Sequence, residues 1–145
     1  MNHDAICARL PHAGRMCLLE RLESWDGDSI TCVATSHRDA DNPLRRGGRL
    51  HAVAGVEYAA QAMALHGNLL SATDTPPAMG YLASVRDLKL DLDDLGTVAE
   101  DLRVTARRLS GDASGFIYEF EIRAGTRALL SGRLAAKLLA AGDVA

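Results

Sequence analysis

The segment from His51 to Leu70 (HAVAGVEYAAQAMALHGNLL) constrains the fold more than any other part of this 145-residue chain. It is rich in Ala, Leu and Met, residues that favour helix, and the stretch 52–65 carries a single charge, Glu57. A helix that is apolar nearly all round has no face to present to water and must be wrapped by the rest of the chain.

What remains has the period of strands. Phe116, Tyr118, Phe120 and Ile122 alternate with Ile117, Glu119, Glu121 and Arg123, and residues 128–138 alternate in the same way, the pattern of half-buried strands. Runs at 80–92 and 98–110 also read as strands, and Gly111-Asp112-Ala113-Ser114-Gly115 and Gly125-Thr126 supply turns between the last three. Upstream, Cys17–Trp25 and Ser29–Ser36 read as a hairpin around Asp26-Gly27-Asp28, preceded by a short helix at 4–9 that Pro11 stops. The loop Ser71–Pro77 joins two parts of one domain, so the whole chain, 1–145, reads as one domain. The predicted order is hairpin, long helix, then a meander of four strands. A sheet apolar on one face must cover that face, and the helix is the available cover. The fold class is α+β, a curved antiparallel sheet round one central helix: the hotdog architecture.

Composition narrows the function classes. A 48% hydrophobic, 24% charged chain is that of a globular protein, and a net charge of −3 argues against nucleic acid as a partner. No apolar run is long enough to span a membrane, and the first residues do not resemble a signal peptide, so a cytoplasmic location is expected. Cys7, Cys17 and Cys32 form no Cys-x-x-Cys pair, and their odd number fits reduced, buried thiols. The sequence contains neither a metal-ligand motif nor a Gly-rich phosphate loop, so no metal or organic cofactor is expected.

Two motifs suggest a family. Leu10-Pro11-His12-Ala13-Gly14-Arg15, followed by an apolar run and Glu20-Arg21-Leu22, resembles the opening of the bacterial 3-hydroxyacyl-acyl-carrier-protein dehydratases. Gly55-Val56-Glu57-Tyr58-Ala59-Ala60-Gln61-Ala62 resembles their Glu-Ala-x-Ala-Gln helix, with Glu57 at the catalytic acid. With Asn42-Pro43-Leu44-Arg45 and Gly80-Tyr81-Leu82-Ala83-Ser84, the chain looks most like the dehydratases of aryl polyene pathways. The resemblance implies dehydration of a 3-hydroxyacyl thioester, carried by the phosphopantetheine of an acyl carrier protein, to a trans-2-enoyl product. The family's catalytic histidine falls fourteen residues before Glu57, on Pro43, which has no titratable group. That departure leaves open two alternatives: a thioesterase on the same fold, and a silent subunit that completes an active homologue.

A lone carboxylate in an apolar helix is either partnered or functional, which suits Glu57 as proton donor. His37, at the end of the second predicted strand, is the histidine expected to serve as base. Gln61, four residues after Glu57, shares its face and is expected to orient the carboxylate. Asn42 is expected to fix the substrate or the imidazole tautomer. Free amides at residues 52–55 would stabilise the enolate oxygen, with Gly55 admitting the substrate closely. Arg45, Arg46 and Arg49 form a basic patch suited to an acidic carrier or a phosphate. His66 lies about 180° round the helix from Glu57 and reads as structural; His51 reads as a surface residue, and His3 and His12 as packing residues. An open sheet edge predicts a homodimer or larger assembly, or a hetero-oligomer with a homologous dehydratase, with sites at the subunit interface.

Overall fold

The structure, a computed structural model, describes residues 1–10, 16–71, 80–112 and 114–138. Residues 11–15 of the opening motif, including Pro11 and His12, and nearly all of the proline loop lie outside the described residues. Helix α1 (His3–Arg9) is capped by the Asn2 side chain, which accepts from the Ala5 amide. It leads to a hairpin of β1 (Arg21–Trp25) and β2 (Ser29–Ala34). Its turn is set by Asp26, whose carboxylate accepts from the amides of Asp28 and Ser29. Helix α2 (Gly55–Leu70) follows, then β3 (Gly80–Leu90), β4 (Leu102–Asp112), β5 (Gly115–Ala124) and β6 (Arg127–Leu138).

All six strands form one antiparallel sheet in the order β1-β2-β4-β5-β6-β3. The expected meander of four strands therefore holds for β4, β5 and β6 only. β3 pairs with β6 at the far edge, and β4 sits between β2 and β5. β4 also begins at Leu102, four residues later than the sequence pattern suggests. The carbonyls that would start it are taken elsewhere: those of Val98 and Glu100 accept from the His37 ring, and that of Ala99 accepts from Arg38.

Helix α2 packs against β2, β4 and β5. Its Tyr58, Ala59, Ala62 and Leu65 join Ile30 and Cys32 of β2, Leu102, Val104 and Ala106 of β4, and Tyr118, Phe120 and Ile122 of β5 in one core. The alternation read in β5 is the alternation observed, with Tyr118, Phe120 and Ile122 buried. The helix is not enclosed on every side, however. Val56, Glu57, Ala60, Ala64 and Gly67 form a half-buried flank, and Val53 just before it is 48% exposed.

Edge strand β3 is interrupted. Its register against β6 shifts between Arg86 and Lys89, and Asp87 takes a left-handed backbone conformation with φ of 53°. Gly132 of β6 makes room for this bulge. A Cβ there would lie 3.2 Å from the Arg86 carbonyl oxygen and 3.4 Å from the Leu88 Cα.

The cysteines differ from expectation. Cys7 and Cys17 are joined by a disulfide, linking α1 to the segment before β1. Cys32 alone is a free buried thiol, and burial pushes its pKa up to about 12, so it is an inert core residue.

Candidate active site

The loop after β2 is built by its own side chains. Asn42 is buried, and its amide nitrogen donates to the Ser36 carbonyl at 2.9 Å and to the Tyr58 hydroxyl at 3.0 Å. Its side-chain oxygen accepts from the Leu44 amide at 2.8 Å. Asn42 thus does not hold the imidazole tautomer. The Arg45 guanidinium donates to the carbonyls of Asp39, Gly48 and His37, so it organises the loop instead of pointing outward. Arg46 and Arg49 are exposed; Arg46 donates to the carbonyls of Pro43 and Arg45, and Arg49 lies 3.8 Å from Asp94.

The polar residues on the buried side of α2 act as pins, each joining the helix to a different part of the chain. Tyr58 meets the Ser36 hydroxyl at 2.8 Å, and Ser36 in turn donates to the Leu18 carbonyl. Gln61 accepts from the Leu18 amide at 2.8 Å and donates to the Met16 carbonyl. It makes no bond to Glu57, so the expected orienting role is replaced by one of holding the opening segment. His66 donates from Nε2 to the Asp26 carbonyl and accepts at Nδ1 from the Tyr118 hydroxyl, a structural role as expected. Asn68 accepts from Arg9. Tyr58 and Ser36 were not singled out from the sequence. The available signal was that a tyrosine in an apolar helix must find a partner for its hydroxyl.

The start of the helix also departs from expectation. The Ala52 amide donates to the Asp93 carbonyl, Val53 to the His51 ring, Ala54 to the His51 carbonyl, and Gly55 to the carbonyls of Ala52 and Val53. None of these four amides is left for an enolate oxygen. Gly55 admits the sheet, not a substrate: a Cβ there would come within 2.6 Å of Leu130 Cδ1 and 3.1 Å of Ile122 Cδ1.

Two candidate groups remain unspent. Glu57, in the first turn of α2, is half-buried and makes no hydrogen bond or ion pair among the described residues. His37 is fully buried, with Nε2 at 2.9 Å from the Glu100 carbonyl and 3.1 Å from that of Val98. Nε2 must therefore carry the proton, which leaves the lone pair on Nδ1, an enclosed atom without a partner. No hydrogen bond joins His37 to Glu57.

Neither of two surface hollows reaches Glu57. A cavity of about 240 Å³ lies between the opening segment and the loop after β2, lined by His3, Cys17, Glu20, Asp39, Asn42 and Pro43 among others. A larger, open hollow of about 670 Å³ lies over outward-facing residues of the sheet such as Arg107, Glu119 and Arg133, on the side away from α2.

Burial lowers the His37 pKa below its ordinary value, with the carbonyls of Glu100 and Val98 pulling the other way. The folded state thus holds a neutral ring, while the unfolded chain takes up a proton below about pH 6.5. The stability this residue contributes is complete above that pH and declines as the pH falls toward the folded-state pKa. Chemical denaturation at about pH 7.5 and about pH 5.5 checks this. The His37→Gln variant should lose less stability on acidification than the parent, and equal losses would contradict the assignment.

A comparison with curated protein sequences finds no significant match. Among solved structures, the dehydratase heterocomplex ApeI:P from Xenorhabdus doucetiae is similar, with a TM-score of 0.84 at 23% identity over 99% of this chain and 94% of that one. A thioesterase from Haemophilus influenzae, HI1161, superposes with a TM-score of 0.64 at 12% identity, covering 96% and 91% of the two chains. The thioesterase PA1618 from Pseudomonas aeruginosa gives 0.60 at 16% identity, covering 82% and 80%. These likenesses establish the hotdog fold, which dehydratases and thioesterases share. The sequence is more selective, since residues 5–138 match the model of one family, described as ApeP dehydratase. That span includes the motif around Glu57 and all six strands, and on it the chain belongs to the ApeP-like dehydratase family.

Proposed function

We propose that this dehydratase removes water from 3-hydroxyacyl thioesters borne on an acyl carrier protein, giving trans-2-enoyl thioesters, with Glu57 as proton donor to the departing hydroxyl. The observation that carries the reading is Glu57 itself. Tyr58, Gln61 and His66 of α2 are spent on neighbouring elements, and Asn68 accepts from Arg9 while its amide nitrogen lacks a partner. The Glu57 carboxyl stays uncommitted among the described residues, on the half-buried flank. His37 would take the proton alpha to the thioester carbonyl through Nδ1, whose lone pair is unengaged. Neither of the two hollows reaches Glu57, and Nδ1 is enclosed, so the reaction would need Nδ1 to be opened to the substrate and a further wall over the flank that bears Glu57. A second hotdog subunit, identical or homologous, laid against the α2 flank would exclude water and complete the site. Exposed Arg46 and Arg49, on the loop shaped by Arg45, would receive an acidic carrier protein. Such carriers are soluble partners, and no helix among the described residues is long and apolar enough to cross a membrane; we place the activity in the cytoplasm.

One observation favours a second reading. Pro43 falls fourteen residues before Glu57, where the common 3-hydroxyacyl dehydratases that the sequence resembles carry a histidine, and the similar ApeI:P assembly is a heterocomplex, as expected of a subunit that is silent alone. Assaying the chain by itself and with a homologous dehydratase subunit, on one carrier-bound 3-hydroxyacyl thioester, separates the readings. Enoyl product from the chain alone supports the first, and product only from the mixture supports the second. Free acid from either would mean a thioesterase and reject both.

A further inference from the structure

Three potential metal ligands converge at the amino-terminal end of the molecule, outside the candidate active site. His3 and Cys7 stand four residues apart, on one face of α1, and the disulfide brings Cys17 beside them. One ligand atom from each residue lies within 4.8 Å of the others. His3 is already set as a ligand. Its Nδ1–H donates to the Leu19 carbonyl at 2.7 Å, which fixes the tautomer and leaves the Nε2 lone pair facing the Cys7 sulfur at 3.5 Å. A backbone carbonyl in that position is the usual outer support of a metal-binding imidazole. Tetrahedral zinc, with bonds of about 2.3 Å to sulfur and about 2.0–2.1 Å to nitrogen, places these two ligands about 3.5 Å apart. His3 and Cys17 also line the cavity of about 240 Å³, the side from which a solvent ligand would complete a tetrahedral set.

We propose that the reduced chain binds one soft divalent cation, of the zinc class, through His3 Nε2 and the thiolates of Cys7 and Cys17, and that the disulfide is the oxidised, metal-free form of the same site. Two electrons and two protons from a dithiol reductant convert the disulfide to two thiols, the reductant becoming a disulfide in turn. The cation then displaces the two thiol protons and leaves the redox state unchanged. A reducing compartment would favour the thiol form. Either form ties α1 to the segment Met16–Leu18, whose backbone Gln61 holds, so the clasp persists in both states. This inference does not depend on the dehydratase reading.

The test is titration of the tag-free, reduced chain with cobalt(II) under anaerobic conditions, followed by displacement with zinc. One equivalent should bind, with a thiolate-to-cobalt charge-transfer band that zinc abolishes, and the oxidised chain should show no such band. Cys7→Ser, Cys17→Ser and His3→Ala should each weaken binding by at least about tenfold, whereas Cys32→Ser should bind as the parent does. Zinc should also slow alkylation of Cys7 and Cys17 in the unmutated chain, a readout independent of whether any variant folds. Absence of the band from the reduced parent, or alkylation of both thiols unaffected by zinc, would overturn the proposal.

Discussion

Replacing Glu57 by glutamine should lower the turnover of a carrier-bound 3-hydroxyacyl thioester by about 10² or more, the usual consequence of losing a general acid. The fall should lie mainly in kcat, because the glutamine keeps the volume and hydrogen-bonding reach of the carboxyl while losing its transferable proton. Stability should change by a smaller amount. The carboxyl makes no bond among the described residues that the substitution would break, and an acidic group in the first turn of a helix contributes up to about 2 kcal/mol even where it is partly buried. The assay includes a homologous subunit if the chain is inactive alone. Parental turnover in Glu57→Gln would remove the residue from the chemistry. His37→Ala at parental turnover, with Glu57→Gln inactive, would place the base elsewhere.

The largest loss of stability is expected from Gln61→Ala. This side chain is 4% exposed and satisfies two backbone groups, the Leu18 amide and the Met16 carbonyl, that have left regular structure. Truncation leaves both without a partner beside the core, at about 1–3 kcal/mol for each unsatisfied group, and opens a void as well. A total of about 3 kcal/mol is a large part of the stability of a domain this size. Chemical denaturation measures it. A loss below about 1 kcal/mol would mean that water replaces the side chain at little cost.

The architecture was legible because it rests on periodicity. The uncharged run around Glu57 and the alternation through Tyr118, Phe120 and Ile122 each specify which side is buried, and burial is what the sheet and helix express. The position of β3 was not legible, since alternation says which face of a strand is buried and nothing of its neighbours. The partners of Asn42, Gln61, Gly55 and Arg45 were not legible for a common reason. A polar or small residue in a loop or on a buried helix can face a ligand or the protein's own backbone and core, and sequence spacing is the same in both cases. Coordinates separate them by showing that the partners are Leu44, Leu18, Leu130 and His37. The disulfide was not legible either, because Cys7 and Cys17 meet only through the packing of α1 against the segment before β1.

The interruption in β3 has a consequence for how this molecule chooses neighbours. A sheet edge ordinarily offers a uniform row of donors and acceptors that any extended chain can join. Here the row is broken at Asp87, over the space left by Gly132, with the exposed apolar side chains of Val85 and Leu90 on either side. The ladder to β6 shifts a second time between Leu82 and Ser84, so a strand approaching this edge finds three short stretches, each out of step with the next. A regular strand can satisfy one stretch only, and slipping by one residue to satisfy an adjacent one turns its side chains to the wrong face. The kinks therefore disfavour pairing of this edge with a flat, regular strand, the kind that aggregating chains present.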